Sequence, residues 1–92
     1  MPKIDLKPRA KKFIKSLPPK HKRQVKDHIL SLADNRLPHD TKKLIGYEDY
    51  LRTDIGEYRI IYRYEPKPDI VIGVLVGKRS GDEIYRIAKR LL

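Results

Sequence analysis

GEYRIIYRYE, residues 56–65, and DIVIGVLVGKR, residues 69–79, are the two runs that decide how this chain folds. In the first, Tyr58, Ile60, Tyr62 and Tyr64 alternate with Arg59, Ile61 and Arg63. That period of two predicts a strand with one covered face and one wet face. In the second, Ile70 to Val76 is apolar at every position except Gly73, which predicts a strand covered on both faces and central in its sheet. The stretch from Leu44 to Tyr85 is therefore the organising part of the chain.

Working outward, Tyr50 to Ile55 alternates with Leu51, Thr53 and Ile55 on one side and Tyr50, Arg52 and Asp54 on the other. Gly56-Glu57 is a tight connection into the next strand and Pro66-Lys67-Pro68 a second, so three strands follow as an antiparallel meander. Beyond Arg79, Ser80 or Asp82 can cap a last helix whose apolar stripe is Ile84, Ile87, Ala88 and Leu91. Before the sheet, Ala10, Phe13, Ile14 and Leu17 mark one amphipathic helix that ends at Pro18-Pro19. Val25, Ile29, Leu32 and Ala33 mark a second that starts near Pro19. Lys3 to Lys7 reads as a short edge strand stopped by Pro8, and Asn35 to Thr41 has the turn chemistry of a loop. The expected fold is α+β: an N-terminal helical hairpin packed on a small antiparallel sheet, made of the meander plus a short N-terminal edge strand, with a C-terminal helix.

Ninety-two residues, with 39% hydrophobic and 37% charged, are the size and composition of one globular domain over residues 1–92. No apolar run reaches the roughly 20 residues of a membrane span, and the charged N-terminus has no apolar stretch behind it, so a secretory signal is not expected. There are no cysteines, so disulfides and thiol chemistry are excluded and a cytoplasmic setting is expected. The net charge of +10 is uneven: residues 1–46 carry 13 Lys/Arg against 4 Asp/Glu, and residues 47–92 carry 9 against 8. Lys11, Lys12, Lys15, Lys20, Lys22, Arg23 and Lys26 place that charge on the helical hairpin, with Lys43 and Lys78 added from the sheet. Such a field favours a polyanion, or else is only a solubilising surface.

The candidate chemistry is narrow. His21, His28 and His39 lack an i,i+4 pairing and neighbouring cysteines, so no metal site is expected and the three are read as surface or interface groups. GxSxG, Walker A and GxGxxG sequences are all absent, and no cofactor is expected. Four residues at strand ends remain: Arg52, Arg59, Arg79 and Tyr85. They either converge on one concave edge of the sheet, or Arg52 and Arg59 form surface ion pairs with Asp54, Glu57 or Asp82.

Lys43-Leu44-x-Gly46, Tyr50-x-Arg52, Gly56-x-Tyr58-Arg59-x-x-Tyr62, and Val74 with Arg79 and Tyr85 occur in an order and spacing that resembles the RelE/ParE superfamily of toxins from toxin–antitoxin pairs, nearest the RelE branch. The resemblance covers essentially the whole chain. It implies a toxin that enters the ribosomal A site and cuts mRNA without a metal, by attack of the ribose 2′-hydroxyl on the adjacent phosphate. By the same resemblance Arg59 would stabilise the phosphorane, and Arg79 would serve the phosphate and the leaving 5′ oxygen. Tyr85 would stack on the base or orient the 2′-hydroxyl, and Arg52 would stand where RelE has a lysine proposed as general base. Two positions further on RelE has another basic residue and this chain has Asp54, expected to pair with Arg52 rather than act as a base. The implied partners are a small acidic RelB-like antitoxin, docking on the basic face of residues 9–26 or on the stripe Ile84, Ile87 and Leu91, and the ribosome with its mRNA. The implied assembly is a toxin–antitoxin heterotetramer on operator DNA. Gyrase poisoning by a ParE-like protein, and a nucleic-acid-binding or catalytically decayed member, are the alternatives.

Overall fold

The computed structural model describes residues 3–35, 41–44 and 46–92; His39 and most of the predicted Asn35–Thr41 loop lie outside the described residues. The elements in order are β1 (Lys3–Leu6), α1 (Pro8–Lys15), α2 (Pro19–Ser31), β2 (Lys42–Leu44), β3 (Tyr47–Ile55), β4 (Tyr58–Glu65), β5 (Ile70–Lys78) and α3 (Glu83–Leu91). The five strands form one sheet in the order β1-β5-β4-β3-β2. The α+β class, the hairpin of helices, the β3-β4-β5 meander and the last helix match the expectation.

The sheet has one more strand than expected and is mixed rather than antiparallel. β2 adds to the outer side of β3 with an irregularity between Lys43 and Leu44, and β1 pairs parallel with β5 from Lys3 opposite Ile70 to Leu6 opposite Gly73. Periodicity fixes a strand's faces and not its direction. Direction is readable only where a tight turn forces a reversal, and no such turn links β1 to β5.

Both faces of the sheet are covered. α1 and α2 lie on one face, where Ala10, Ile14, Val25, Ile29 and Leu32 pack against Tyr58, Ile60, Tyr62, Val71 and Val76. α3 lies on the other, where Ile84 and Ala88 pack with Leu44, Ile61 and Leu75. The wet face expected for β4 is therefore only partly wet: Ile61 is fully buried under α3, while Arg59 and Arg63 are half-buried beside it. A bulge in β5 reconciles its alternation with this arrangement. Ile61 pairs with Leu75 and Tyr62 with Gly73, which leaves Val74 as the extra residue. Val74 and Leu75 both serve the α3 side, and Val76 returns to the hairpin side.

Of the histidines, His21 and His28 are half-buried against the sheet. His21 Nδ1 lies 2.6 Å from the Tyr58 hydroxyl, with the two rings edge to face, and His28 Nε2 lies 3.0 Å from Oγ1 of the buried Thr53. Both rings tie α2 to the sheet through side-chain hydrogen bonds. Their sequence signal is the phase of α2: His21, Val25, His28, Ile29 and Leu32 share one face at i, i+4, i+7, i+8 and i+11.

Candidate active site

Register builds the site. Gly56, at φ +56°, and Glu57 form a two-residue hairpin, so Ile55 faces Tyr58 and Asp54 faces Arg59 across the β3-β4 ladder. Gly56 also passes close over α2, where an added Cβ would come within 2.8 Å of the Gln24 side chain. On the far side of β4, Arg59 pairs with Gly77 of β5. Gly77 carries no side chain above the sheet, and an added Cβ would stand 3.3 Å from Ile84. The space lets α3 lie against β5 and brings Tyr85 to Arg59.

Arg59 is held on two sides. Its Nε donates to Asp54 Oδ1 at 2.6 Å and its Nη2 to Asp54 Oδ2 at 3.0 Å, a bidentate pair whose side chains are 14% and 21% exposed. Its Nη1 donates to the Tyr85 hydroxyl, and the guanidinium carbon lies 5.5 Å from the centre of the Tyr85 ring. The Asp54 hydrogen bonds hold the Arg59 pKa above the ordinary arginine value, against the opposing effect of partial burial. Arg59 is a permanent cation with a fixed plane, suited to orienting an oxyanion and unsuited to proton transfer.

Of the four strand-end residues, the structure joins Arg59 and Tyr85 in direct contact. Arg52 faces Ile61 and is thereby the diagonal neighbour of Arg59 on the same sheet face, within about 7–8 Å at the level of the backbone. Arg79 follows the end of β5, where its backbone N–H donates to the Glu57 carbonyl at 2.8 Å. It lies in the bend just beyond β5 and is exposed. Arg52 and Arg79 have no charge partner among the described residues. The expected Asp54–Arg52 pair is not formed, because Arg52 stands two residues away on Asp54's own strand whereas the hairpin puts Arg59 directly opposite. Asp82 pairs with Arg86 at 3.1 Å and takes the N-cap position of α3 without a side-chain capping bond.

The remaining cationic candidates lie elsewhere. Lys11, Lys12, Lys15, Lys20, Arg23 and Lys26 are exposed on α1 and α2, and Lys22 is half-buried there; these helices cover the sheet face opposite to Arg59. Lys43 and Lys78 pair with Leu51 and Tyr58, residues of the hairpin-side core, and are exposed. On α3, Ile84 is core, Ile87 half-buried and Leu91 47% exposed, so the expected docking stripe is split between core and surface. Among the described residues, no helix is long and apolar enough to cross a membrane, and no three His, Cys, Asp or Glu side chains are grouped to hold a metal ion.

Comparison with known proteins follows the same lines. Residues 4–83 match the family described as ParE toxin of the type II toxin-antitoxin system, parDE. A curated protein of Methanocaldococcus jannaschii named RelE1 is 30% identical over 81 residues, covering 85% of this chain and 90% of that one. Isolated RelE toxin of E. coli superposes with a TM-score of 0.74 at 26% identity over 100% of both chains. The archaeal RelE-RelB complex from Pyrococcus horikoshii contains a chain that superposes with a TM-score of 0.75 at 25% identity, over 86% of this chain and 96% of its own. A family match across residues 4–83, a relative at 30% identity and two RelE folds of the same shape place the chain in the RelE/ParE toxin superfamily, on its RelE-like branch.

Proposed function

We propose that this chain is the toxin of a toxin–antitoxin pair and that it cuts mRNA held in the ribosomal A site. The carrying observation is the guanidinium of Arg59 fixed against Tyr85, with Arg52 diagonal to it and Arg79 at the adjoining strand end. In the proposed reaction the 2′-hydroxyl loses its proton to water and its oxygen bonds to phosphorus; the P–O5′ bond breaks and the 5′ oxygen takes up a proton from water. Charge on the phosphorane is what a cluster of guanidinium groups stabilises best. Arginine stays protonated at neutral pH and tyrosine titrates near pH 10, so both are poor general bases there. Arg59 and Arg52 then hold the phosphate, Arg79 serves the phosphate and the leaving oxygen, and Tyr85 stacks on a base or orients the 2′-hydroxyl. In-line geometry comes from the ribosome.

The exposed cations of α1 and α2 supply the field that draws the chain to rRNA and mRNA. A RelB-like antitoxin is the expected partner, supported by the RelE-RelB assembly of the Pyrococcus horikoshii relative. The ParE description of the matching family favours one second reading, poisoning of DNA gyrase without RNA cleavage. A bacterial translation extract separates the two. The nuclease reading requires ribosome-dependent cuts by primer extension, slowed about 10²-fold in Arg79→Ala. Intact message with a gyrase-dependent block of DNA replication supports the second.

A further inference from the structure

Asp54 takes no part in the bond-making and bond-breaking proposed above, and it is the acidic residue built furthest into the site. A guanidinium offers five N–H donors. Asp54 takes those on the Nε/Nη2 edge and Tyr85 takes one on Nη1, which leaves one donor on each terminal nitrogen. The same carboxylate cancels the charge of Arg59, so the uncompensated cations of the patch are Arg52 and Arg79.

We infer that Asp54 is a positioning residue: it fixes the plane of Arg59 and, through Arg59, the Tyr85 hydroxyl of α3, so that a phosphate meets two pre-aimed donors on Arg59 and finds its net attraction in Arg52 and Arg79. This deepens the nuclease reading and rests on it. The division of labour separates orientation from attraction. Removing the Asp54 charge strengthens anion binding and, by freeing Arg59, slows the reaction.

Asp54→Asn and Asp54→Glu test this in the full-length chain. Three readouts serve: the Arg59 Nε–H resonance by heteronuclear NMR, binding of inorganic pyrophosphate, and single-turnover mRNA cleavage on ribosomes. Asp54→Asn is expected to shift and broaden the Arg59 resonance and to tighten pyrophosphate binding about fivefold, the effect of one unit charge about 4 Å away in water. It should also slow cleavage about 10- to 100-fold, as a misplaced orienting group does. Asp54→Glu, which keeps the charge but displaces the carboxylate, is expected to leave pyrophosphate affinity within about twofold while still slowing cleavage about tenfold. Faster cleavage together with tighter binding in Asp54→Asn would make Asp54 a brake and overturn the inference, as would an unchanged rate and an unchanged resonance. Should the wild-type chain leave mRNA intact, the nuclease reading fails on its own; the resonance and the pyrophosphate titration still decide whether Asp54 orders Arg59.

Discussion

The two faces of the sheet solve opposite problems with the same strands. Under α1 and α2 the contacts are apolar, and the polar ties from His21 to Tyr58 and from His28 to Thr53 are hydrogen bonds that neutral side chains can make. The cations of that region are exposed, apart from the half-buried Lys22. Under and beside α3 the apolar cluster is smaller, and a guanidinium, a carboxylate and a phenol are drawn partly out of water next to it. Charge density along the sequence and charge at the site are therefore different quantities. The hairpin lysines add up to a long-range field, whereas Arg59 is committed to directed, partly desolvated contacts with Asp54 and Tyr85.

The largest test of this contrast is to remove packing from the hairpin face. Ile60 is fully buried there, and Ile60→Ala is expected to cost about 2–5 kcal/mol in urea unfolding. A loss below about 1 kcal/mol, within the range of ordinary surface substitutions, would show that this face is not the stabilising core.

The next effect belongs to the Asp54–Arg59 pair. Each of Asp54→Ala and Arg59→Ala leaves the other charge partly buried and is expected to cost about 1–3 kcal/mol, with a double-mutant coupling of about 1–2 kcal/mol. Its pH dependence has a definite sign. The folded pKa of Arg59 is raised, so the stabilisation it reports is complete below the unfolded arginine value and fades only as pH rises through the folded one. Across the neutral range the Arg59 charge should therefore contribute no slope to unfolding free energy against pH. Additive single mutants would mean that the pair is not energetically coupled.

The smallest effect is expected on the outer surface. Lys11→Ala, Lys12→Ala and Lys15→Ala combined should change stability by no more than about 0.5 kcal/mol per site. They should lower the salt dependence of RNA binding by about 0.7–0.9 for each phosphate that the three lysines neutralise. A large loss of fold stability would show that these side chains pack as well as attract.

Much of this is legible in the chain because side-chain phase carries it. The strand alternation of Tyr58 to Tyr64, the continuous apolar run from Ile70 and the helical stripes each name their own buried side. The covering of Ile61 is not legible, since alternation says which residues share a face and not whether a distant helix lies on it. The Val74 bulge is hidden for a related reason: in an all-apolar run a slip of phase leaves no mark. Asp54's partner, by contrast, is within reach of the sequence. A two-residue turn at Gly56-Glu57 forces residue 54 opposite residue 59, and only the nearness of Arg52 in sequence argues otherwise. His21 and His28 follow the same rule, since their helical phase matches the buried stripe of α2.

The parallel pairing of β1 with β5 has a consequence in time. Lys3 meets Ile70, so β1 is made well before β5 and waits for it before it has a partner. The meander and the helical hairpin hold contacts close in sequence and can form early; closure of β1 spans most of the chain and is expected among the slow steps. Tyr85 arrives later still, on the helix that follows β5. A nascent chain of this kind carries the cations of the hairpin before it carries α3, and the contact between Arg59 and Tyr85 forms only once α3 has been made.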